Sequence, residues 1–189
     1  MKSIAVFASG TGSNFQAILD AIASGQLQAH LALLVSDKPS CKAVERAVAN
    51  GIEVFTFNAK DYDGKEAYEN AILHELQKRQ VDCVVLAGYM RIVGSVLLSH
   101  FHQRIINLHP SLLPSFPGAH GIEDAYKYGV KVFGITIHYV DEGVDTGSII
   151  DQFAFHIEEG ETVEDVERRI HALEHQYYPA TIHRVLNEE

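Results

Sequence analysis

Residues 4–25 read IAVFASGTGSNFQAILDAIASG. The run opens with five small or apolar residues, 4–8, of strand length. It then repeats Phe15, Ile18, Leu19 and Ile22 at the spacing of one helix face, and Gly25 supplies a stop. Between the two lies Ser9–Gly10–Thr11–Gly12–Ser13–Asn14. Strand, glycine-rich turn and helix form the opening unit of an α/β sheet, and the unit recurs downstream. Strands are expected at 31–35, 53–57, 81–87 and 105–108, with helical segments at about 41–49, 65–79 and 93–102. The 81–87 segment is nearly continuous in apolar residues, as in a strand covered on both faces. Such alternation predicts a mostly parallel, Rossmann-like twisted sheet flanked by helices, with right-handed crossovers.

The pattern changes after residue 108. A helix is expected over 122–128, stopped by Gly129. Two β-like runs, 131–139 and 149–157, enclose the acidic loop DEGVDTG at 141–147 and predict an antiparallel extension. Thr162 with Asp165 three residues on resembles a capping box. Val166, Ile170, Leu173 and Tyr177 then recur at helical spacing. Pro179 is expected to interrupt that helix, leaving a final piece to Leu186.

The chain has 189 residues, 47% of them hydrophobic and 21% charged, which excludes a disordered chain. A single domain over 1–189 is expected, divided into a nucleotide- or phosphate-binding half to about 105 and a catalytic half from about 106. A net charge of −10 argues against a nucleic-acid or acidic-membrane binder. Cys41 and Cys83 form no CxxC pair, and Cys83 sits in an apolar run. No run reaches transmembrane length and no signal peptide is evident, so a cytoplasmic protein is expected.

Residues 104–118, RIINLHPSLLPSFPG, carry the candidate chemistry. Pro110, Pro114 and Pro117 stiffen the loop and hold His109 extended at a strand end. Asn107, two residues earlier, faces the same side. The pair either fixes two polar groups around a reacting atom or closes a strand with satisfied side chains. The 10–14 turn offers backbone N–H groups to an anion. It lacks the third glycine of a dinucleotide fingerprint, since Phe15 follows Asn14, so a single phosphate suits it better than NAD or ATP. A tight turn without a ligand reads equally well. The 86–93 segment either lines a slot for a flat ring or covers the core, and Arg91 either pairs with an acid or meets a carboxylate. His138 and Asp145 are each ordinary structural residues taken alone. An Asp near His109 would orient it for proton transfer, and Asn107 would donate to an oxyanion. No HExxH or similar close metal motif occurs, and no metal is expected.

Five segments carry a family resemblance: FASGTGSNFQAI (7–18), VVLAGYMRI (84–92), INLHPSLLPSFPGAH (106–120), GITIHYVDEGVDTG (134–147) and EHQYYP (174–179). Together they resemble the phosphoribosylglycinamide formyltransferase family over nearly the whole chain. The resemblance implies formyl transfer from 10-formyltetrahydrofolate, the cosubstrate, to the amine of glycinamide ribonucleotide. It implies catalytic roles for Asn107, His109 and Asp145. It also implies acceptor binding by Gly12, Ser13, Asn14 and Glu174, and folate binding by Met90, Arg91, Ile92, Val93, Tyr139, Val140, Asp141, Gly143 and Asp145. His138 and Lys65 are supporting candidates. No nicotinamide or metal is implied, and the chain is expected as a monomer or homodimer. Ile122 stands where related sequences often have histidine, and Thr146–Gly147–Ser148 replaces a frequent small residue–Gly–Pro pattern. The rival readings are a formyltetrahydrofolate deformylase, a methionyl-tRNA formyltransferase, a non-catalytic folate or nucleotide binder, and an unrelated metal hydrolase. With the first strand at residue 3 or 4, no regulatory module is expected ahead of it, and no RNA-facing C-terminal domain is expected either.

Overall fold

The computed structural model describes residues 1–188. Its elements in order are β1 (Ser3–Phe7), α1 (Ser13–Ser24), β2 (His30–Ser36), α2 (Lys42–Ala49), β3 (Val54–Thr56) and α3 (Lys65–Lys78). They continue with β4 (Cys83–Leu86), α4 (Ser95–His100), β5 (Ile105–His109), α5 (Gly121–Tyr128), β6 (Val132–Tyr139), β7 (Ile149–His156) and α6 (Val163–Asn187). The seven strands form one sheet in the order β3-β2-β1-β4-β5-β6-β7. The first five run parallel, and β6 and β7 pair antiparallel.

Alternation within the buried strands explains the two-layer cover. In β1, Ile4 and Val6 join the core under α1 and α6, whereas Ala5 and Phe7 join the core under α3 and α4. Cys83 and Val85 of β4 divide from Val84 and Leu86 in the same way. Both faces of these strands are therefore apolar, which is why they read as uninterrupted hydrophobic runs. A third apolar cluster joins α5 and the first half of α6 to β6 through Ile122, Ala125, Phe133, Ile135, Val166 and Ile170.

The capping box forms: Thr162 Oγ accepts from the Asp165 N–H at 3.2 Å, and the Thr162 N–H donates to Asp165 Oδ2 at 2.9 Å. The expected interruption at Pro179 does not occur. One helix spans Val163–Asn187 with Pro179 inside it. Proline removes a single N–H from the ladder. Here tertiary packing offsets that loss, because Tyr178, Pro179, Thr181 and Ile182 are all buried, Tyr178 and Ile182 in the same core as Ile4, Val6 and Val85 of the sheet. Tyr178 is completely buried, and its hydroxyl donates to the Leu86 carbonyl at 2.7 Å and lies 3.2 Å from that of Ile106. α6 is thus pinned to the last residue of β4 and to Ile106 within β5, beside the polar residues described next. Burial raises the Tyr178 phenol well above its ordinary pKa, so it remains a donor there.

Candidate active site

β5 continues through His109, one residue further than the sequence reading, and pairs antiparallel with β6. In that register Asn107 lies opposite His138, and His109 opposite Thr136. Residues directly across an antiparallel pair share a face, so Asn107, His138 and His109 project together. Asn107 Nδ2 is 3.3 Å from His138 Nε2. His138 Nδ1 is 2.8 Å from the Tyr139 carbonyl, which only accepts, so Nδ1 carries a proton and Nε2 is free to accept from Asn107. By the same reasoning His109 Nε2 donates to the Phe116 carbonyl at 2.8 Å. That leaves His109 Nδ1 facing Asp145 Oδ2 at 3.4 Å, while Asp145 Oδ1 is 3.7 Å from His138 Nε2.

Asp145 reaches this position through an unusual backbone. Its φ is +54°, a left-handed conformation that Asp tolerates better than most residues. The Gly118 N–H donates to Asp145 Oδ2 at 2.9 Å and ties the acidic loop to the end of the proline loop. A methyl group on Gly147 would lie 1.6 Å from the Tyr139 carbonyl oxygen, so only glycine fits where the loop returns to β6. The proline loop is itself anchored to the antiparallel strands. Thr136 Oγ donates to the Ser111 carbonyl at 2.7 Å and accepts from the Leu113 N–H at 3.0 Å, and Gln152 Nε2 donates to the Leu113 carbonyl at 2.9 Å.

These groups open into a cleft of about 360 Å³. Met90, Arg91, Ile92 and Val93 line one wall, and Val140, Asp141, Gly143 and Asp145 line the other. Tyr139 lines an adjoining cavity that shares Val140 and Asp141 with the cleft. Met90, Ile92 and Val144 are mostly exposed at the rim, an arrangement suited to covering a flat apolar ring. Thr146 Oγ and the Gly143 N–H both donate to Asp141, and together they hold its carboxyl below the usual range.

Residues distant in sequence fix the Met90–Val93 wall. Ser9 Oγ accepts from the Met90 N–H at 3.0 Å and donates to Asp37, whose other oxygen is 2.9 Å from Arg91 Nε. Arg91 therefore meets an acid, one of the two roles open from the sequence. Lys65 lies outside the cleft; its ammonium donates to the Ile92 carbonyl at 2.8 Å. Glu69, one turn along α3, accepts from the Gly94 N–H at 2.8 Å and is 2% exposed. Burial raises its carboxyl above the ordinary value. Ser9, Asp37 and Glu69 were missed by sequence reasoning. Their partners lie 25 to 81 residues away, and no local pattern marks them.

On the far side of the sheet end, Gly12 caps α1 with φ +72° and no side-chain cap bond. Ser13 and Asn14 form the first helical positions, so their N–H groups stand at the positive end of α1. Asn14 Nδ2 donates to Glu174 Oε2 at 2.9 Å, which joins the turn to α6. His171 Nδ1 lies 3.1 Å from the same oxygen, and that contact raises the imidazole above its ordinary pKa. Glu174 is buried. Among the described residues no group of three or more His, Cys, Asp or Glu is arranged to hold a metal ion, and no helix is long and apolar enough to cross a membrane. Burial pushes the Cys83 thiol up to about 12, so it stays protonated and inert.

A two-loop cleft at the end of a parallel sheet, with Asn, His and Asp converging beneath it, defines a class. The formyl transferase family model matches residues 2–182, and the chain belongs to that family. The similarity narrows further. A phosphoribosylglycinamide formyltransferase of Bacillus subtilis is 52% identical over 186 residues, which cover 98% of this chain and 95% of the relative. The crystal structure of phosphoribosylglycinamide formyltransferase from Bacillus halodurans superimposes with a TM-score of 0.95 at 52% identity, covering 99% of this chain and 96% of that one. Glycinamide ribonucleotide transformylase 1 from Geobacillus kaustophilus gives a TM-score of 0.96 at 51% identity, over 99% and 100% of the two chains. Within the formyl transferases, this chain belongs to the phosphoribosylglycinamide formyltransferases.

Proposed function

We propose that the protein transfers the formyl group of 10-formyltetrahydrofolate to the amine of glycinamide ribonucleotide in purine biosynthesis. The observation that carries this reading is the convergence of Asn107, His109, His138 and Asp145 at contacts of 3.3 to 3.7 Å within one cleft. The phosphate of the acceptor docks on the N–H groups of Gly12, Ser13 and Asn14, and Glu174 holds the ribose or amine side. The folate ring enters between Met90–Val93 and the 140–145 loop, with Tyr139 behind that loop. This assigns most acceptor contacts to the half before residue 106, and the reacting groups to the half after it.

The neutral amine attacks the formyl carbon, and a C–N bond forms. Negative charge develops on the formyl oxygen, where Asn107 Nδ2 donates. His138 Nε2 holds that amide in place from behind. His109, protonated or proton-donating and oriented by Asp145, supplies the second donor. Its 3.4 Å approach to Asp145 is longer than a charge-assisted hydrogen bond of about 2.7–2.9 Å and can tighten when substrate arrives, while Nε2 donates to the formyl oxygen by exchanging its 2.8 Å bond to the Phe116 carbonyl. The bond to folate N10 then breaks, and its electron pair stays on that nitrogen. N10 gains a proton as the attacking nitrogen loses one. Direct transfer needs no covalent formyl-enzyme. The chain acts as a monomer or a homodimer.

The test is a product assay with both substrates together and each alone. Formylglycinamide ribonucleotide and tetrahydrofolate in equal amounts, only with both present, support the reading. Formate released without the amine substrate replaces it with deformylation, and binding without turnover replaces it with a binding protein.

A further inference from the structure

The loop that carries Asp145 has little in its covalent chain to hold it. No proline lies between Tyr139 and Ile149, and Gly143 and Gly147 stand on either side of Asp145. Asp145 itself keeps a φ of +54°, a conformation that a side chain disfavours. Its carboxylate is nonetheless placed 3.4 Å from His109 Nδ1 and 3.7 Å from His138 Nε2. The loop leaves β6 and returns to β7 at a base where the Tyr139 N–H donates to the Ser148 carbonyl at 2.9 Å. Beyond that base, another contact has to hold the backbone on which Asp145 depends.

A single carboxylate oxygen does so. Asp141 Oδ1 accepts from the Gly143 N–H at 3.0 Å and from Thr146 Oγ at 2.6 Å. The second bond crosses from the outgoing limb of the loop to the returning one. Among the described residues, no other hydrogen bond joins the two limbs above the base. A methyl on Gly143 would lie 2.0 Å from Thr146 Oγ and 3.0 Å from Thr146 Cβ, so the threonine side chain is folded inward over the space that glycine leaves. The two donors hold the Asp141 carboxyl below the usual range, so it stays charged at neutral pH. Thr146 follows Asp145 directly, and its bond to Asp141 restrains the peptide that joins them.

We propose that Thr146 is a positioning residue for formyl transfer: its hydroxyl, bound to Asp141, locks the loop so that Asp145 faces His109 and His138. The proposal deepens the formyl-transfer reading of the preceding section and rests on it. It makes the aim of the catalytic aspartate depend on a cross-tie between residues five apart in the same loop.

The experiment is a double-mutant cycle with glycinamide ribonucleotide and 10-formyltetrahydrofolate, in which Thr146→Val and Asp145→Asn are made singly and together, beside Thr146→Ser. Valine keeps the shape of threonine and loses the donor; serine keeps the donor. Thr146→Val should lower kcat by about tenfold, the size expected for one lost hydrogen bond to a charged acceptor, with an unchanged acceptor KM and a nearly normal Tm. In the Asp145→Asn background the same change should lower kcat by less than about twofold, because the carboxylate it aims is already gone. Thr146→Ser should recover most of the wild-type turnover. Equal losses in both backgrounds, a loss confined to the folate KM, or a serine variant as slow as the valine one overturns the proposal. A wild type that transfers no formyl group overturns the formyl-transfer reading instead, whereas an active wild type with an unaffected valine variant overturns only the role of Thr146.

Discussion

Replacing Asn107 by alanine separates a transition-state role from a structural one, because the two effects differ in size. In the resting structure the Asn107 side chain makes one contact, to His138 Nε2 at 3.3 Å, and is only partly buried. Losing a neutral hydrogen bond of that kind costs about 0.5–1.5 kcal/mol of stability. For a chain of this size that lowers Tm by only a few degrees, at roughly 2–4 °C per kcal/mol. Losing a donor aimed at a developing oxyanion costs about 2.7–4 kcal/mol of activation free energy, or roughly 10²–10³ in turnover. Asn107→Ala should therefore remain folded with a nearly normal melting curve while kcat falls by two to three orders of magnitude. KM values for both substrates should stay within a few-fold, since the contact strengthens only as charge appears on the oxygen. Steady-state kinetics beside thermal unfolding on the same preparation gives both numbers. A fall in turnover of less than about tenfold, or a loss confined to KM, would refute the oxyanion role.

Three further perturbations probe neighbouring parts of the site. Asp145→Asn retains an acceptor for the Gly118 N–H but removes the charge beside His109 and His138, so kcat should fall roughly 10–100-fold with little change in Tm; stopped turnover assays across pH check it, and wild-type rates would remove Asp145 from the chemistry. Ser9→Ala leaves the Met90 N–H and Asp37 without their shared partner, so the folate KM should rise severalfold while the acceptor KM holds; equal rises in both would make Ser9 a general stability residue. Glu69 has its native pKa raised by burial, so the folded state holds its proton to higher pH than the unfolded chain. Its contribution to stability is fully present below the ordinary glutamate pKa and is lost as pH rises through the raised native value. Denaturant unfolding of wild type against Glu69→Gln should show the wild type losing stability relative to the variant across that window, and parallel curves would contradict the assignment.

The parallel part of the fold was legible because β1 and β4 are buried on both sides and announce themselves as apolar runs, and because helical spacing in α1, α3 and α6 is regular. The misreading at Pro179 shows where local rules stop. Proline predicts a break from backbone chemistry alone, whereas Tyr178 and Ile182 gain enough from packing on the sheet to carry the helix through. Asn107 and His109 could be paired from sequence since strand periodicity puts alternate residues on one face. Asp145 could not be joined to them by any spacing; the residues offered it only as a partner for His109 should the sheet bring the two together, and the family resemblance gave it the catalytic role. Its position depends on a left-handed backbone, the Gly118 N–H and a close passage at Gly147, none of which has a sequence period. Lys65 was flagged as a supporting residue, and its place beneath the Ile92 carbonyl indicates support of the cleft wall from outside. Ser9, Asp37 and Glu69 act on a loop contributed by another segment, so their partners emerge only when the sheet is assembled.

The decisive measurement follows the formyl carbon itself. Donor carrying a ¹³C-labelled formyl group is mixed with a slight excess of the protein and glycinamide ribonucleotide, and the carbon resonance is followed through one turnover. Direct transfer in the Asn107–His109–Asp145 cleft predicts that the label passes to the acceptor nitrogen, one tetrahydrofolate per product, with no formate and no label retained on the protein. Labelled formate appearing at the same rate without acceptor, or a label bound covalently to the chain, would contradict it.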